Sequence, residues 1–147
     1  MQSTDILWNK NLDWQLIPDH VKLYHKTLID PRSADALGVA VSAILWERIE
    51  VGGGVLPHYH DVAEVIHFVR GRVKVLCNGE WLSCRAGDTL RVPFGVVHSV
   101  MNDDVEATEQ ISIFLPADAG RSPNQPFATV LVETVSGAMD GLPSGPY

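Results

Sequence analysis

Three histidines and one glutamate fall at spacings that could bring them to a single metal ion. His58 and His60 are two residues apart, so on a β-strand both side chains project from one face. Glu64 begins the next apolar run after a short turn, and His98 opens another strand after a Pro-Phe-Gly turn. Neutral imidazoles and a carboxylate suit Fe, Mn, Ni, Co, Cu or Zn and are a poor set for Mg or Ca alone. Four such ligands would leave an octahedral ion two positions for water, substrate or dioxygen.

Glycines and a proline stand around these four side chains, in residues 52–71 and 87–102. Both stretches resemble the two conserved motifs of the cupin superfamily. The matching positions are Gly52, His58, His60, Glu64 and Gly71 in the first motif, and Gly87, Pro93, Gly95, His98 and Asn102 in the second. The resemblance implies an all-β, antiparallel cupin barrel, a double-stranded β-helix of the jelly-roll type. It also implies one divalent transition metal ion, with Fe(II) as first choice and Mn, Ni, Zn or Co as alternatives.

Short apolar segments separated by turn residues favour an antiparallel sandwich or barrel without reference to any family. The predicted strands are Val21–Ile29, Leu37–Val51, Glu64–Val69, Val73–Cys77, Trp81–Arg85, Thr89–Val92, His98–Met101, Glu109–Leu115 and Ala128–Thr134, with a loop at Pro116–Pro126. The length of 147 residues suits a single domain. We predict that residues 1–147 form one cupin domain, with an N-terminal arm at 1–20, the barrel at 21–134 and an irregular tail at 135–147.

The arm contains Trp8 and Trp14, which need a hydrophobic surface on this barrel or on a second copy. Exposed strand edges also invite pairing. One two-fold interface would cover both features, so we predict a homodimer.

The two cysteines flank a predicted hairpin. Asn78-Gly79 between apolar segments favours a two-residue turn. That register pairs Cys77 with Glu80 and Val73 with Cys84, which separates the two sulfurs along the ladder. We predict two free thiols, as in a reducing compartment.

Charge and hydropathy narrow the classes of partner. Lys plus Arg is 11 and Asp plus Glu is 18, so the formal net charge is −7. A negative protein repels phosphate backbones, so we expect no nucleic-acid partner. Neither a run of 18 apolar residues nor a secretory signal is visible. We therefore expect no membrane span and a cytoplasmic location.

The alternation of side-chain directions along the strands predicts which residues lie next to the metal ion. Ile66 should share the inward face of Glu64, while His67 points away and is expected in a second layer or on the surface, not as a ligand. Some cupin lyases of this size carry a tyrosine base where this chain has Ile66, which disfavours that lyase mechanism. Tyr59 lies between two inward ligands and should point out of the pocket.

Three polar residues are candidates for contact with a substrate. Gln110 shares a strand face with Ser112, and that face points either to the cavity or to solvent. Arg48 and Arg91 would suit a carboxylate substrate if they lie at the barrel mouth, and are otherwise ordinary surface residues.

The fold supports many chemistries, so three functions stay open. The first is a mononuclear Fe(II) dioxygenase acting on a small organic molecule. The second is a lyase, isomerase or cyclase that uses the ion as a Lewis acid; no residue of the sequence is a clear candidate for its general base. The third is a non-catalytic cupin that binds a small molecule.

Overall fold

A curled antiparallel β-sheet makes up most of the computed structural model, which describes residues 3–116, 126–132 and 141–143. These ranges hold a 3-10 helix, one α-helix and eleven strands. The elements are the 3-10 helix Asn9–Asn11, β1 (Gln15–Leu16), β2 (Val21–Ile29), α1 (Pro31–Leu37), β3 (Ala43–His60), β4 (Ala63–Arg70), β5 (Arg72–Cys77), β6 (Glu80–Arg85), β7 (Thr89–Val92), β8 (His98–Asn102), β9 (Thr108–Leu115), β10 (Thr129–Val132) and β11 (Gly141–Pro143). All described strand pairs are antiparallel, which confirms the predicted all-β, antiparallel class.

Strand β3 is the longest described strand, with 18 residues, and it pairs with four other strands. Residues 43–49 lie between β2 and β9, whereas residues 54–60 pair with β8 and β10. Between these two parts Gly52 has a φ of +79°. A Cβ on Gly53 would lie 2.6 Å from the carbonyl oxygen of Val21. Glycine is therefore required here, where one strand bends and exchanges the neighbour β9 for the neighbour β8.

The predicted strand Leu37–Val51 is wrong at both ends, since β3 begins at Ala43 and continues to His60. The sequence prediction also missed helix α1, which begins with a capping box. The Asp30 carboxylate accepts the backbone N–H of Ser33 at 2.8 Å, and Ser33 Oγ accepts the N–H of Asp30 at 2.9 Å. A proline follows the cap, and a glycine with φ +74° ends the helix.

The cysteine hairpin forms as predicted. Asn78 and Gly79 have φ values of +52° and +80°, as a type I′ turn requires. Cys77 faces Glu80 and Val73 faces Cys84 in the β5–β6 ladder. Both cysteines are free thiols.

The C-terminal predictions are partly covered by the described residues. Of the predicted strand Ala128–Thr134, residues 129–132 form β10, while 133–134 lie outside the described ranges. The prediction of an irregular tail is wrong for residues 141–143, because their backbone pairs with β10 as β11. The rest of that tail, and residues 117–125 of the predicted loop, also lie outside these ranges.

Two clusters of buried apolar side chains form the core. The larger one contains Ile17, Leu23, Ile49, Val55, Ile66, Phe68, Val73, Val75, Leu90, Val92 and Val100. The smaller one contains Ala43, Leu45, Val62, Phe114 and Phe127. Strand alternation produces both clusters, because every second residue of β3 and β4 faces inward.

The arm packs on its own barrel through part of its length. Strand β1 pairs with β2, and the ring of Trp14 meets that of Trp46 edge-on at 4.8 Å. The ammonium of Lys26 lies over both rings, where it gains a cation–π attraction. Trp8 remains 54% exposed.

Candidate metal centre

The four predicted metal ligands converge on one point inside the barrel. His58, His60, Glu64 and His98 are all buried, and their ligand atoms lie within 4.8 Å of one another. Strand pairing brings them together: His58 stands opposite His98 in the β3–β8 ladder. Glu64 follows the turn from β3 into β4 and faces inward by alternation.

Each of the three imidazoles is oriented by a backbone carbonyl. The Nδ1–H of His58 donates to the carbonyl of Leu56 at 2.6 Å, and that of His98 donates to Val96 at 3.0 Å. His60 Nδ1 lies 3.2 Å from the carbonyl of Ala128 and 3.0 Å from Thr129 Oγ1. A carbonyl can only accept, so Nδ1 carries the hydrogen in each ring. In the neutral tautomer Nε2 then presents a lone pair to the centre, which is the arrangement of metal-binding histidines.

The separations within this cluster fit one transition metal ion. The Nε2 atoms of His58 and His60 are 3.0 Å apart, and Glu64 Oε1 lies 3.2 Å from His60 Nε2 and 2.8 Å from His98 Nε2. Two ligand atoms about 2.1 Å from a metal at adjacent octahedral positions lie about 3.0 Å apart. Facing lone pairs repel unless a cation lies between them, so this donor set could hold a metal ion.

Protons compete with a metal for the same atoms. Burial opposes ionisation of Glu64, but the close contacts of its Oε1 with His60 Nε2 and His98 Nε2 outweigh burial and hold the pKa of that carboxyl well below its usual range. Burial lowers the pKa of His98, but its hydrogen bond to Glu64 outweighs burial and raises that pKa. Burial, with His98 and His60 nearby, lowers the pKa of His58. Without metal, a proton is therefore held between His98 and Glu64.

A second carboxyl group, Glu47, is buried in the same cavity. It lies on β3 opposite Gln110 of β9, and it is 5% exposed. Gln110 Nε2 donates to Glu47 Oε1 at 3.1 Å, and the hydroxyl of Ser112 donates to the same oxygen. Burial, reinforced by the negative charge of Glu64 and opposed by these two donors, raises the pKa of Glu47 to about 7.

The cavity around the ligands is narrow, with about 10 Å³ of free volume, room for one water-sized group. A larger ligand therefore enters only when the lining side chains move apart. Besides the four ligands, Glu47, Gln110 and His20 are its polar lining. Its apolar walls are Ile17, Leu23, Val55, Ile66, Val100 and Phe114. Ile17 and His20 belong to the arm, so the arm covers one side of the metal centre.

The predicted neighbours of the metal divide between the cavity and the outer surface. Gln110 and Ile66 line the cavity, and His67 is exposed as predicted. Arg48 and Arg91 do not line this cavity, and their contact with a substrate at the barrel mouth stays a prediction. Arg48 alternates with inward-facing residues on β3 and pairs with Glu50 at 3.1 Å, and Arg91 is exposed on β7.

Sequence reasoning missed two residues of the cavity, Glu47 and His20. A signal for Glu47 was present, because it shares the strand parity of the buried apolar residues Leu45 and Ile49, where a charged side chain stands out. His20 precedes the first long strand, and its spacing gives no sign of a role.

Comparisons with known proteins agree with this fold. The family model for the cupin domain matches residues 45–114. No curated protein sequence matches the chain significantly. No helix among the described ranges is long and apolar enough to cross a membrane.

Among solved structures, the polyketide cyclase RemF from Streptomyces resistomycificus is similar, with a TM-score of 0.66, 14% identity and coverage of 83% of this chain and 85% of that one. A predicted oxalate decarboxylase from Thermotoga maritima has a TM-score of 0.65 and 15% identity, covering 76% and 98%. A cupin sugar phosphate isomerase from Silicibacter pomeroyi has a TM-score of 0.65 and 14% identity, covering 95% and 93%. These neighbours share a fold and differ in the reactions that their names describe. Both sequence motifs, the match of residues 45–114 to the cupin-domain model and the barrel agree, and this chain has the cupin fold.

Proposed function

We propose that this cupin is a metal-dependent enzyme that moves a proton on a small organic substrate, as a lyase, isomerase or cyclase does. The observation that carries the proposal is Glu47, a buried carboxyl group that lines the metal cavity, is held there by Gln110 and Ser112 and is not one of the four clustered ligands. In the metal-free protein burial raises the pKa of Glu47 to about 7, and a carboxyl group with a raised pKa suits proton transfer near neutral pH. The sequence offered no general base for this class of reaction, and the structure supplies a candidate.

In this proposal the four clustered ligands and Glu47 have separate roles. His58, His60, Glu64 and His98 would hold one divalent transition metal ion. Such an ion, when bound, supplies Lewis-acid chemistry by polarising a carbonyl or carboxylate oxygen. Ionised Glu47 accepts a proton from the carbon next to that group, and protonated Glu47 returns it to a different atom of the substrate.

Two further features orient this chemistry. The donors from Gln110 and Ser112 both fall on Glu47 Oε1; this fixes the carboxyl plane and leaves Oε2 for the proton. The amide oxygen of Gln110 is buried without a hydrogen-bond partner among the described residues. A hydroxyl or amine of the substrate would satisfy it, since buried acceptors are normally paired.

The Fe(II) dioxygenase is the second candidate. The apolar walls formed by Leu23, Val55 and Phe114 favour it, because such a site would shield a reactive iron centre from bulk water. The dioxygenase reaction does not require a carboxyl group that can transfer a proton beside the metal. We therefore rank it second, because it leaves Glu47 without a role.

An exchange assay separates these candidates. The protein is loaded with Zn, Co, Mn, Ni or Fe(II) and incubated in D₂O with a panel of small 2-oxo acids and 1,3-dicarbonyl compounds. NMR then records deuterium at the carbon next to the carbonyl. We expect exchange that needs both metal and Glu47, so that Glu47→Gln loses about 100-fold or more, while the matched surface variant His67→Gln keeps the full rate.

Oxygen consumption is recorded on the same panel. Metal-dependent oxygen uptake without exchange would replace the proposal with the dioxygenase. Ligand binding with neither activity would favour the non-catalytic cupin.

A further inference from the structure

His20 reaches the metal cavity from a turn of the arm that is tightly held. The N–H of Ile17 donates to the carbonyl of Leu23 at 2.9 Å, which closes the turn. The Ile17 side chain is only 3% exposed and anchors the turn in the core. Asp19 and Lys22, on either side of His20, have φ values of +69° and +50°. Such conformations cost energy outside glycine and persist only where the surroundings enforce them.

A hydrogen bond fixes the protonation of the His20 ring. Its Nδ1 accepts the backbone N–H of Leu56 at 3.0 Å. An acceptor nitrogen carries no hydrogen, so in this ring the hydrogen resides on Nε2. Burial, with His60 as a secondary cause, lowers the pKa of His20 to about 4, which is consistent with a neutral ring at pH 7.

The same backbone residue orients His20 and a metal ligand. Leu56 donates its N–H to His20, while its carbonyl accepts the Nδ1–H of His58. The two rings meet edge-on, with centroids 5.3 Å apart. His20 therefore has a defined position next to the ligand cluster, and its Nε2–H has no hydrogen-bond acceptor among the described residues.

We propose that His20 is a ligand-binding residue that donates its Nε2–H to an oxygen or other anionic atom of whatever binds the metal in this cavity. The inference rests on the metal centre of the proposed function and adds a substrate class, small molecules that present a carboxylate, enolate or carbonyl oxygen to the ion. Lys and Arg are absent from the described lining, so His20 is the donor from the arm that recognises such an oxygen. The arm thereby completes the binding site.

Azide binding to the Co(II)-loaded protein tests this role without a known substrate. Azide is a small anion suited to a narrow cavity, and its binding is followed in the visible spectrum of Co(II). We expect His20→Phe to bind azide about tenfold more weakly, the loss typical of one hydrogen bond to a charged group. His20→Gln should restore most of the affinity, because its amide can accept from Leu56 and donate to azide. His67→Gln, an exposed histidine variant, should match the wild type.

Co(II) affinity is measured for every variant and should not change. A drop in Co(II) affinity for His20→Phe comparable to that of His58→Ala would make His20 a metal ligand and overturn the proposal. If His20→Phe does not fold, His20→Met replaces it with the same expectation. Failure of the wild type to bind Co(II) would overturn this inference and the proposed function together. Tight Co(II) binding with unchanged azide affinity in the apolar variant would overturn this inference alone.

Discussion

Glu47→Gln should change how the stability of the metal-free protein depends on pH. Glutamine keeps the size of the side chain, and its amide oxygen can accept the bonds that Gln110 and Ser112 now donate to Glu47. The substitution removes only the ability to ionise. Any pH-dependent difference between variant and wild type therefore reports on the buried carboxyl.

The sign and the size follow from the raised pKa. The pKa of Glu47 rises from 4.5 in the unfolded chain to about 7 in the folded protein. Between these values the folded protein keeps a proton that the unfolded chain has released, so the free energy of unfolding falls as pH increases. Over the whole interval the wild type should lose about 3 kcal/mol that Glu47→Gln keeps. The loss is small below pH 4.5 and complete above pH 7.

Urea unfolding followed by tryptophan fluorescence measures the difference at pH 4.5 and pH 8, after removal of metal by a chelator. His98, whose pKa is also raised, changes stability in the same direction, and comparison of the two proteins at each pH removes most of its contribution. The matched control is Glu80→Gln, whose side chain is exposed on β6 and lies outside the metal cavity; it shows what the loss of one surface carboxyl group contributes. Equal pH dependence in wild type and Glu47→Gln would refute a carboxyl group held protonated by burial.

Three other outcomes follow from the site and the arm. His58→Ala and His98→Ala should lose tight metal binding while circular dichroism shows a folded barrel, because the core is apolar; wild-type metal content by elemental analysis in either variant would contradict the ligand assignment. Metal affinity should fall by up to about tenfold per pH unit on acidification below the raised pKa of His98, since the ion must displace the proton shared with Glu64; a chelator competition that gives one affinity from pH 5.5 to 7.5 would exclude this. Light scattering should give about twice the 16.1 kDa chain mass, falling when the residues before Trp14 are removed, and a mass near one chain would contradict the predicted homodimer.

The clustering of the four candidate metal ligands could be predicted from sequence because local spacing determines it. His58 and His60 share a strand face whatever the rest of the fold does, and the motif positions supplied Glu64 and His98. The hairpin at Asn78-Gly79 was equally local, since the turn chemistry sets the register of the two strands it joins.

Helix α1 is an element that the local sequence pattern did not lead us to predict. Its capping box and proline are visible in residues 30–33, but the apolar residues from Leu37 onward favour one long strand. The bend in β3 could not be predicted from sequence for a different reason. Gly52 and Gly53 permit it, but only the approach of Val21 from β2 requires it.

Residues far apart in sequence set the environments of Glu47 and His20. Glu47 is held by side chains 63 and 65 residues away, and the hydrogen bond that fixes the His20 ring comes from a backbone 36 residues away. Neither residue belongs to the motifs that locate the metal. The motifs therefore locate the metal ion, but they do not determine which group transfers a proton beside the ion or which residue binds an oxygen of the ligand. Neighbours of 14–15% identity carry the same barrel under the names of a cyclase, a decarboxylase and an isomerase, as expected if residues outside the motifs select the reaction. We propose that in this chain those residues are Glu47 on the inward face of β3 and His20 in the turn of the arm, so variants at these two positions should alter chemistry and ligand choice more than they alter metal affinity.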